Sequence, residues 1–170
     1  LPTKWTRQRF WFCMATGAAG HTYGAIGIWQ VNRKGQPHGG SPHHPPGSTG
    51  YGIIAWDDAM NLPGSAQVAY GKRLLERFVW QGFTPHPEWA AYAAAEGAAK
   101  PPSYGPFAWG NDTIRLVYVP ERLPVTVSHL DPGGRYRVQV FNPVSGETTD
   151  LALQTADANG AWAGITPVQG

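Results

Sequence analysis

The sequence predicts an α/β segment followed by a β module, and three observations carry that prediction. Two runs with helix-spaced apolar residues flank a glycine-rich, aromatic-bearing stretch at residues 17–30. From Thr113 onward the apolar spacing alternates, which is the period of strands and not of helices. Between the two lies Lys100-Pro-Pro102, after an alanine-rich run; proline neither continues a helix nor donates to a ladder, so a module boundary falls there. The expected organisation is residues 1–100 as one unit and residues 101–170 as a second.

Taken in order, Thr3 is placed to cap a helix that runs through Trp5, Arg7, Phe10, Trp11 and Met14. This helix is apolar on most faces. Left alone it would display a large sticky patch, so it is expected to pack on a missing part of the fold or on another copy of the chain. Gly17 and Gly20 end it, and His21–Tyr23 fits a short strand, the last of a larger α/β unit. Residues 31–51 are rich in Pro, Gly and His, cannot hold regular structure, and form a long loop of the kind that usually has a function. A second helix is expected from Pro63 to Phe78, with Ala66, Ala69, Tyr70, Leu74 and Phe78 spaced toward a core. In the β module, Thr113–Val119, Pro124–Ser128 and Tyr136–Phe141 read as strands. Asp131-Pro-Gly-Gly134, Asn142-Pro-Val-Ser-Gly146 and Asn159-Gly160 supply turns. The simplest architecture is a small antiparallel β-sandwich. Residues 161–170 lead toward a closing strand that does not follow.

Composition excludes several function classes. A net charge of +2 with no Lys/Arg run does not make a nucleic-acid surface, and no apolar run is long enough to span a bilayer. The opening residues, Leu1-Pro-Thr-Lys4, are not expected to act as a signal peptide. Cys13 has no second cysteine to pair with and lies in the apolar run Phe10–Met14, so it reads as a buried thiol and not as a nucleophile. No Gly-x-Ser-x-Gly elbow occurs. His38, His43 and His44 sit in a proline-rich loop without ordered spacing or carboxylate and thiolate neighbours, so no metal site and no cofactor are expected. Eight Trp and seven Tyr beside only 14% charged residues suit a carbohydrate-handling protein and equally an aromatic-rich core.

The richest chemistry lies in Gly17-Ala-Ala-Gly-His-Thr-Tyr-Gly-Ala-Ile-Gly-Ile-Trp-Gln30. Glycines admit close backbone approach, and polar-tipped aromatics beside them supply the flat faces and fixed hydrogen-bond groups of a sugar pocket. The competing reading is a tight turn with buried aromatics. Acids are scarce here: none precedes Asp57, and Asp57 and Asp58 are the only ones near the aromatic run. Asp57 is the candidate catalytic carboxylate, and its simpler role is a cap or turn ahead of the second helix.

Gly17–Gly24, Gly27-Ile-Trp-Gln30 and Pro63-Gly-Ser-Ala-Gln67 together resemble the C-terminal end of the apiosidase-like glycoside hydrolases. Tyr118-Val-Pro120, Tyr136–Pro143 and Ser145-Gly146 are similar to the β domain that trails the barrel in that family, the kind labelled collagen-binding. The resemblance implies the terminal segment of a (β/α)8 barrel followed by a β-sandwich accessory domain. It implies hydrolysis of O-glycosidic bonds on plant or microbial polysaccharide side chains, in an extracellular or periplasmic setting. It also implies catalytic carboxylates on earlier strands, the nucleophile glutamate in a motif that this sequence lacks. The upstream barrel portion is then the expected partner, as a separate chain or missing segment, with an oligo- or polysaccharide as substrate and neither nucleic acid nor membrane involved. Loops at the C-terminal ends of barrel strands form the active site, so His21, Tyr23, Trp29, Gln30 and Trp56 are the expected substrate-binding residues. His21 and Tyr23 alternate along a strand and share a face toward the barrel mouth, although a core histidine is an equal reading for His21. Trp29 would stack on the sugar and Gln30 would fix a hydroxyl. The alternative from another class is a non-catalytic carbohydrate- or protein-binding β module that uses Trp109, Tyr118 and Trp162.

Overall fold

The computed structural model describes residues 3–29, 31–35, 53–93, 104–121 and 123–165. Helix α1 spans Thr3–Ala15, close to the sequence expectation. Its end is set by Gly17, at φ +86°. The Ala18 N–H donates to the Cys13 carbonyl at 3.0 Å and the Gly17 N–H to that of Met14 at 3.3 Å. This pair of bonds satisfies two otherwise orphaned carbonyls and requires a left-handed residue, hence glycine. Residues 21–25 then run without a ladder, so the expected strand at His21–Tyr23 is not formed. A strand needs a neighbour for its N–H and C=O groups, and no described segment pairs with this one.

A short helix α2, Trp56–Ala59, precedes α3, Pro63–Leu75. Pro63 begins α3 at a position where its missing N–H costs nothing. The buried face of α3 differs from the expected one. It consists of Gly64, Gln67, Gly71 and Leu75, whereas Ala66 is exposed and Ala69, Tyr70, Leu74 and Phe78 are half-buried. The cause is the close approach of α1. A β-carbon on Gly71 would overlap the Phe10 ring, and one on Gly64 would lie 3.3 Å from Thr6 Cγ2. Small residues therefore take the contact, and the apolar ones are turned to its flanks. Gln67 is tolerated inside because its Oε1 accepts a 2.6 Å hydrogen bond from Arg7 Nη1.

Beyond α3 the described residues form ten short strands: β1 Thr84–Pro85, β2 Ala90–Tyr92, β3 Phe107–Gly110, β4 Arg115–Tyr118, β5 Val125–Val127, β6 Arg135–Tyr136, β7 Gln139–Phe141, β8 Thr148–Asp150, β9 Gln154–Thr155 and β10 Trp162–Ile165. They pair antiparallel in the orders β1-β3-β4, β10-β5-β2, β6-β9 and β7-β8. Three expectations change. The pairing reaches back across the Lys100/Pro101 boundary, because β1 and β2 join sheets whose other strands lie beyond it. Pro85 is compatible with β1 because that strand is an edge. The expected strand Tyr136–Phe141 is split, its two ends belonging to different ladders. Trp162–Ile165 is itself a strand, paired to β5 through an irregularity between Ala163 and Ile165, so residues 161–165 do not merely lead toward one.

The main core joins the two parts. Phe10, Trp11, Met14, Ala15, Leu75 and Trp109 are packed together. Trp11 stacks on Tyr118 at 5.7 Å and meets Phe141 edge-on at 5.9 Å. The Phe10, Trp11 and Met14 face of α1 is covered from within this chain, by α3 and β3, while Trp5 and Phe12 on the same helix remain exposed. Trp109 is 3% exposed and sits in this core, not on an outward-facing surface. Cys13 is half-buried, less deep than its apolar neighbours suggest. A second cluster, Trp89, Ala90, Ala108 and Val125, fills the β part.

Candidate functional site

The candidate site is built on the turn at residues 25–35 and the segment 53–60. Gly27 shapes the turn, with φ +99°. A β-carbon there would lie 2.5 Å from the Ile54 carbonyl oxygen and 3.2 Å from Ala59 Cβ, so the two segments touch backbone to backbone. Asn32, 1% exposed, ties them together. Its N–H donates to the Gly27 carbonyl at 3.0 Å, its Nδ2 donates to the Ile54 carbonyl at 3.2 Å, and its own carbonyl accepts from the Trp56 N–H at 2.8 Å. A buried amide with its groups engaged is a rigid clasp.

Around the clasp the apolar side chains face outward. Trp29 is 82% exposed and Trp56 is 44% exposed, and Ile26, Val31, Ile53 and Met60 are exposed as well. Single exposed apolar residues are ordinary, but six on two pinned segments indicate a surface that meets something. The Trp29 indole lies along Gly24, where a β-carbon would come 3.2 Å from Nε1. The remainder of its ring is available for stacking. Trp56 opens α2.

The other expected residues sit elsewhere. His21 and Tyr23 do share a face, but it is the face toward the helices. The His21 ring meets Phe10 edge-on at 5.7 Å, and Tyr23 Cε2 would lie 3.4 Å from a β-carbon on Gly64. Burial pushes the His21 pKa down and that of the Tyr23 hydroxyl up, so both rings are held neutral near pH 7. Helix-layer packing fixes this orientation, and spacing along a strand says only that the two residues point the same way. Gln30, His38, His43 and His44 lie outside the described residues. Among those described, no group of three or more His, Cys, Asp or Glu is disposed to hold a metal ion. No described helix is long and apolar enough to cross a membrane.

Asp57 and Asp58 occupy the first turn of α2, where negative charge is favoured by the exposed N–H groups. The Asp57 carboxylate accepts from the Asp58 N–H at 3.2 Å, and the Asp57 carbonyl accepts from Asn61 Nδ2 at 2.7 Å. Asp58 lies 4.0 Å from Lys34 on the surface. Sequence reasoning missed Asn32, Ile26, Val31, Ile53 and Met60. The available signal was the apolar residues at both edges of the Pro/Gly/His-rich loop, which a fully solvated loop would not carry.

Residues 2–82, nearly half of the chain, match the family of apiosidase-like catalytic domains. This part of the chain is similar to that family. It takes in α1, the Gly27 clasp and α3, and ends just before β1. Two solved structures share the fold. One, a glycoside hydrolase, superposes with a TM-score of 0.74 at 19% identity, covering 100% of this chain and 34% of its own. The other, a glycoside hydrolase family 5 protein from Bacteroides vulgatus ATCC 8482, gives a TM-score of 0.71 at 19% identity, covering 98% of this chain and 34% of its own. The chain thus spans about a third of the length of these structures. Mixed helices and antiparallel sheets, shared with part of these two structures, are the architecture shown. No curated protein gives a significant match.

Proposed function

We propose that this chain is the terminal segment of a (β/α)8 glycosidase barrel with its trailing β-sandwich domain, acting on side chains of plant or microbial polysaccharide. In this reading it contributes the aromatic surface that positions the sugar. The observation that carries it is the outward-facing Trp29–Trp56 surface, pinned by Asn32, within the apiosidase-like segment. An aromatic face with few polar groups suits the apolar side of a sugar ring. Gln30, next to Trp29, would bind a hydroxyl, and His21 and Tyr23 would support the turn from behind.

Glycoside hydrolysis normally uses two carboxyl groups about 5–5.5 Å or about 6.5–9.5 Å apart across the scissile bond. Asp57 and Asp58 are consecutive on one helical turn, and such neighbours project in different directions. The acid and the nucleophile are therefore assigned to the barrel portion outside this chain, and the exported setting follows the same reading. Alone, the chain is expected to be inactive. Native mass spectrometry tests the arrangement: a larger polypeptide held to this chain supports it, and a lone folded monomer that hydrolyses glycosides overturns it.

Two substitutions separate the roles in the assembled enzyme. Trp29→Ala is expected to lower turnover about tenfold, the loss of an aromatic contact of about 1.4 kcal/mol, without changing the melting temperature, since the side chain is largely exposed. Unchanged kinetics would remove Trp29 from the site. Asp57→Asn is expected to retain most of the activity, because Asp57 engages only its own helix. A loss of several orders of magnitude would return the catalytic carboxylate to this chain.

A further inference from the structure

A cleft of about 260 Å³ runs between α1 and the strands β4 and β7, away from the Trp29 surface. Its aromatic lining includes Trp11, Trp109, Tyr118 and Phe141; Lys4 and Arg7 bring cations to it, and Arg115 lines it with its stem. No Asp or Glu is among the described residues that line it. The partners of the two arginines are neutral. Arg7 donates to the Gln67 amide oxygen. Arg115 donates to the Ser128 and His129 carbonyls and lies over the Trp89 ring. Lys4 makes no ion pair among the described residues. The nearest carboxylate on β8, that of Asp150, is taken by Arg137 and by the Gln139 amide. Lys4 and Arg7 thus flank an aromatic cleft that has no carboxylate among its described lining residues, while the Arg115 guanidinium is turned away onto Trp89.

The Tyr118 hydroxyl adds a donor. Burial pushes its pKa up to about 12, so it stays protonated, and no described residue hydrogen-bonds it. Arg7 has further N–H groups beyond the one spent on Gln67, in the planar fork that fits a carboxylate. Pockets for drug-sized ligands run about 300–1,000 Å³, so this smaller cleft suits a single ring.

We propose that the cleft between α1 and the β4–β7 strands is a binding site for a carboxylate-bearing saccharide of uronate size. The half-buried Tyr118 and Phe141 would meet the ring, and Lys4 and Arg7 would meet the carboxylate. The choice of a saccharide among ring-bearing anions rests on the glycosidase reading; the demand for an anion rests on the lining alone. Titration of the full chain with glucuronate, followed by amide NMR, is the test, with glucose and benzoate as parallel ligands. Glucuronate is expected to shift resonances of α1 and β4 selectively, and Lys4→Gln and Arg7→Gln are each expected to weaken binding about tenfold. Lys4 is exposed, so its variant tests the charge without endangering the fold. Glucose acting as strongly as glucuronate, or glucuronate binding that neither variant changes, would overturn the proposal. So would the absence of any shift. Benzoate binding without glucuronate binding would overturn the saccharide assignment. The Trp29→Ala turnover assay judges the glycosidase reading separately, so either can fail without the other.

Discussion

Replacing Trp11 by alanine should destabilise the fold by about 3–5 kcal/mol, the range for truncating a large buried aromatic. Trp11 is 3% exposed and packs against Trp109, Tyr118, Phe141 and Phe10. It is the point at which the helical part and the strands share one core. In thermal unfolding the loss should appear as a fall of roughly 10 °C or more, and the two parts should lose their cooperativity together. Trp11→Phe should cost clearly less. The indole Nε1 is buried without a hydrogen-bond partner, so phenylalanine keeps an aromatic face and removes an unsatisfied donor. If Trp11→Ala costs less than about 1 kcal/mol, well below the range for such truncations, the shared core is not what holds the two parts together.

The second large effect is expected at Gly27. An alanine there carries about 1–2 kcal/mol of left-handed backbone strain and, at φ +99°, brings its β-carbon 2.5 Å from the Ile54 carbonyl oxygen. The obstacle is backbone, not the end of a flexible side chain, so relief requires the clasp to open. A total loss of about 2–4 kcal/mol follows when overpacking is included, measured as a shift in denaturant midpoint. Opening the clasp would also displace Trp29 and Trp56, so the assembled enzyme should lose turnover beyond what Trp29→Ala alone removes. Full stability in Gly27→Ala would show that residues 25–35 and 53–60 are not held together.

The two cases show what a linear reading can reach. Glycine at position 17 announces the end of α1 because the left-handed cap is a local requirement, settled within five residues. The sharp change of apolar period at Thr113 announces strands for the same reason. The buried face of α3 could not be read this way. Gly64 and Gly71 look like weaknesses in a helix, and only the nearness of Phe10 and Thr6 makes them the contact surface. His21 and Tyr23 are likewise legible as partners on one face, but the layer they face depends on where α1 and α3 lie. Only the alternative reading, a binding β module, put Trp109 on a surface, and the structure buries it. Trp11, nearly a hundred residues away in sequence, covers it.

By itself the sequence determined the helix over residues 3–15, the punctuation by Gly17 and Pro63, the strand-rich character beyond Thr113, and the apiosidase-like motifs, since each is encoded in neighbouring residues. Tertiary structure alone decided that the Phe10–Trp11 face of α1 is covered by β3 and α3, that Asn32 binds residues 25–35 to residues 53–60, and that Lys4 and Arg7 sit beside a cleft between helix and sheet. Those features join segments far apart in the chain, and they exist only once burial of the shared aromatic core has brought the segments together.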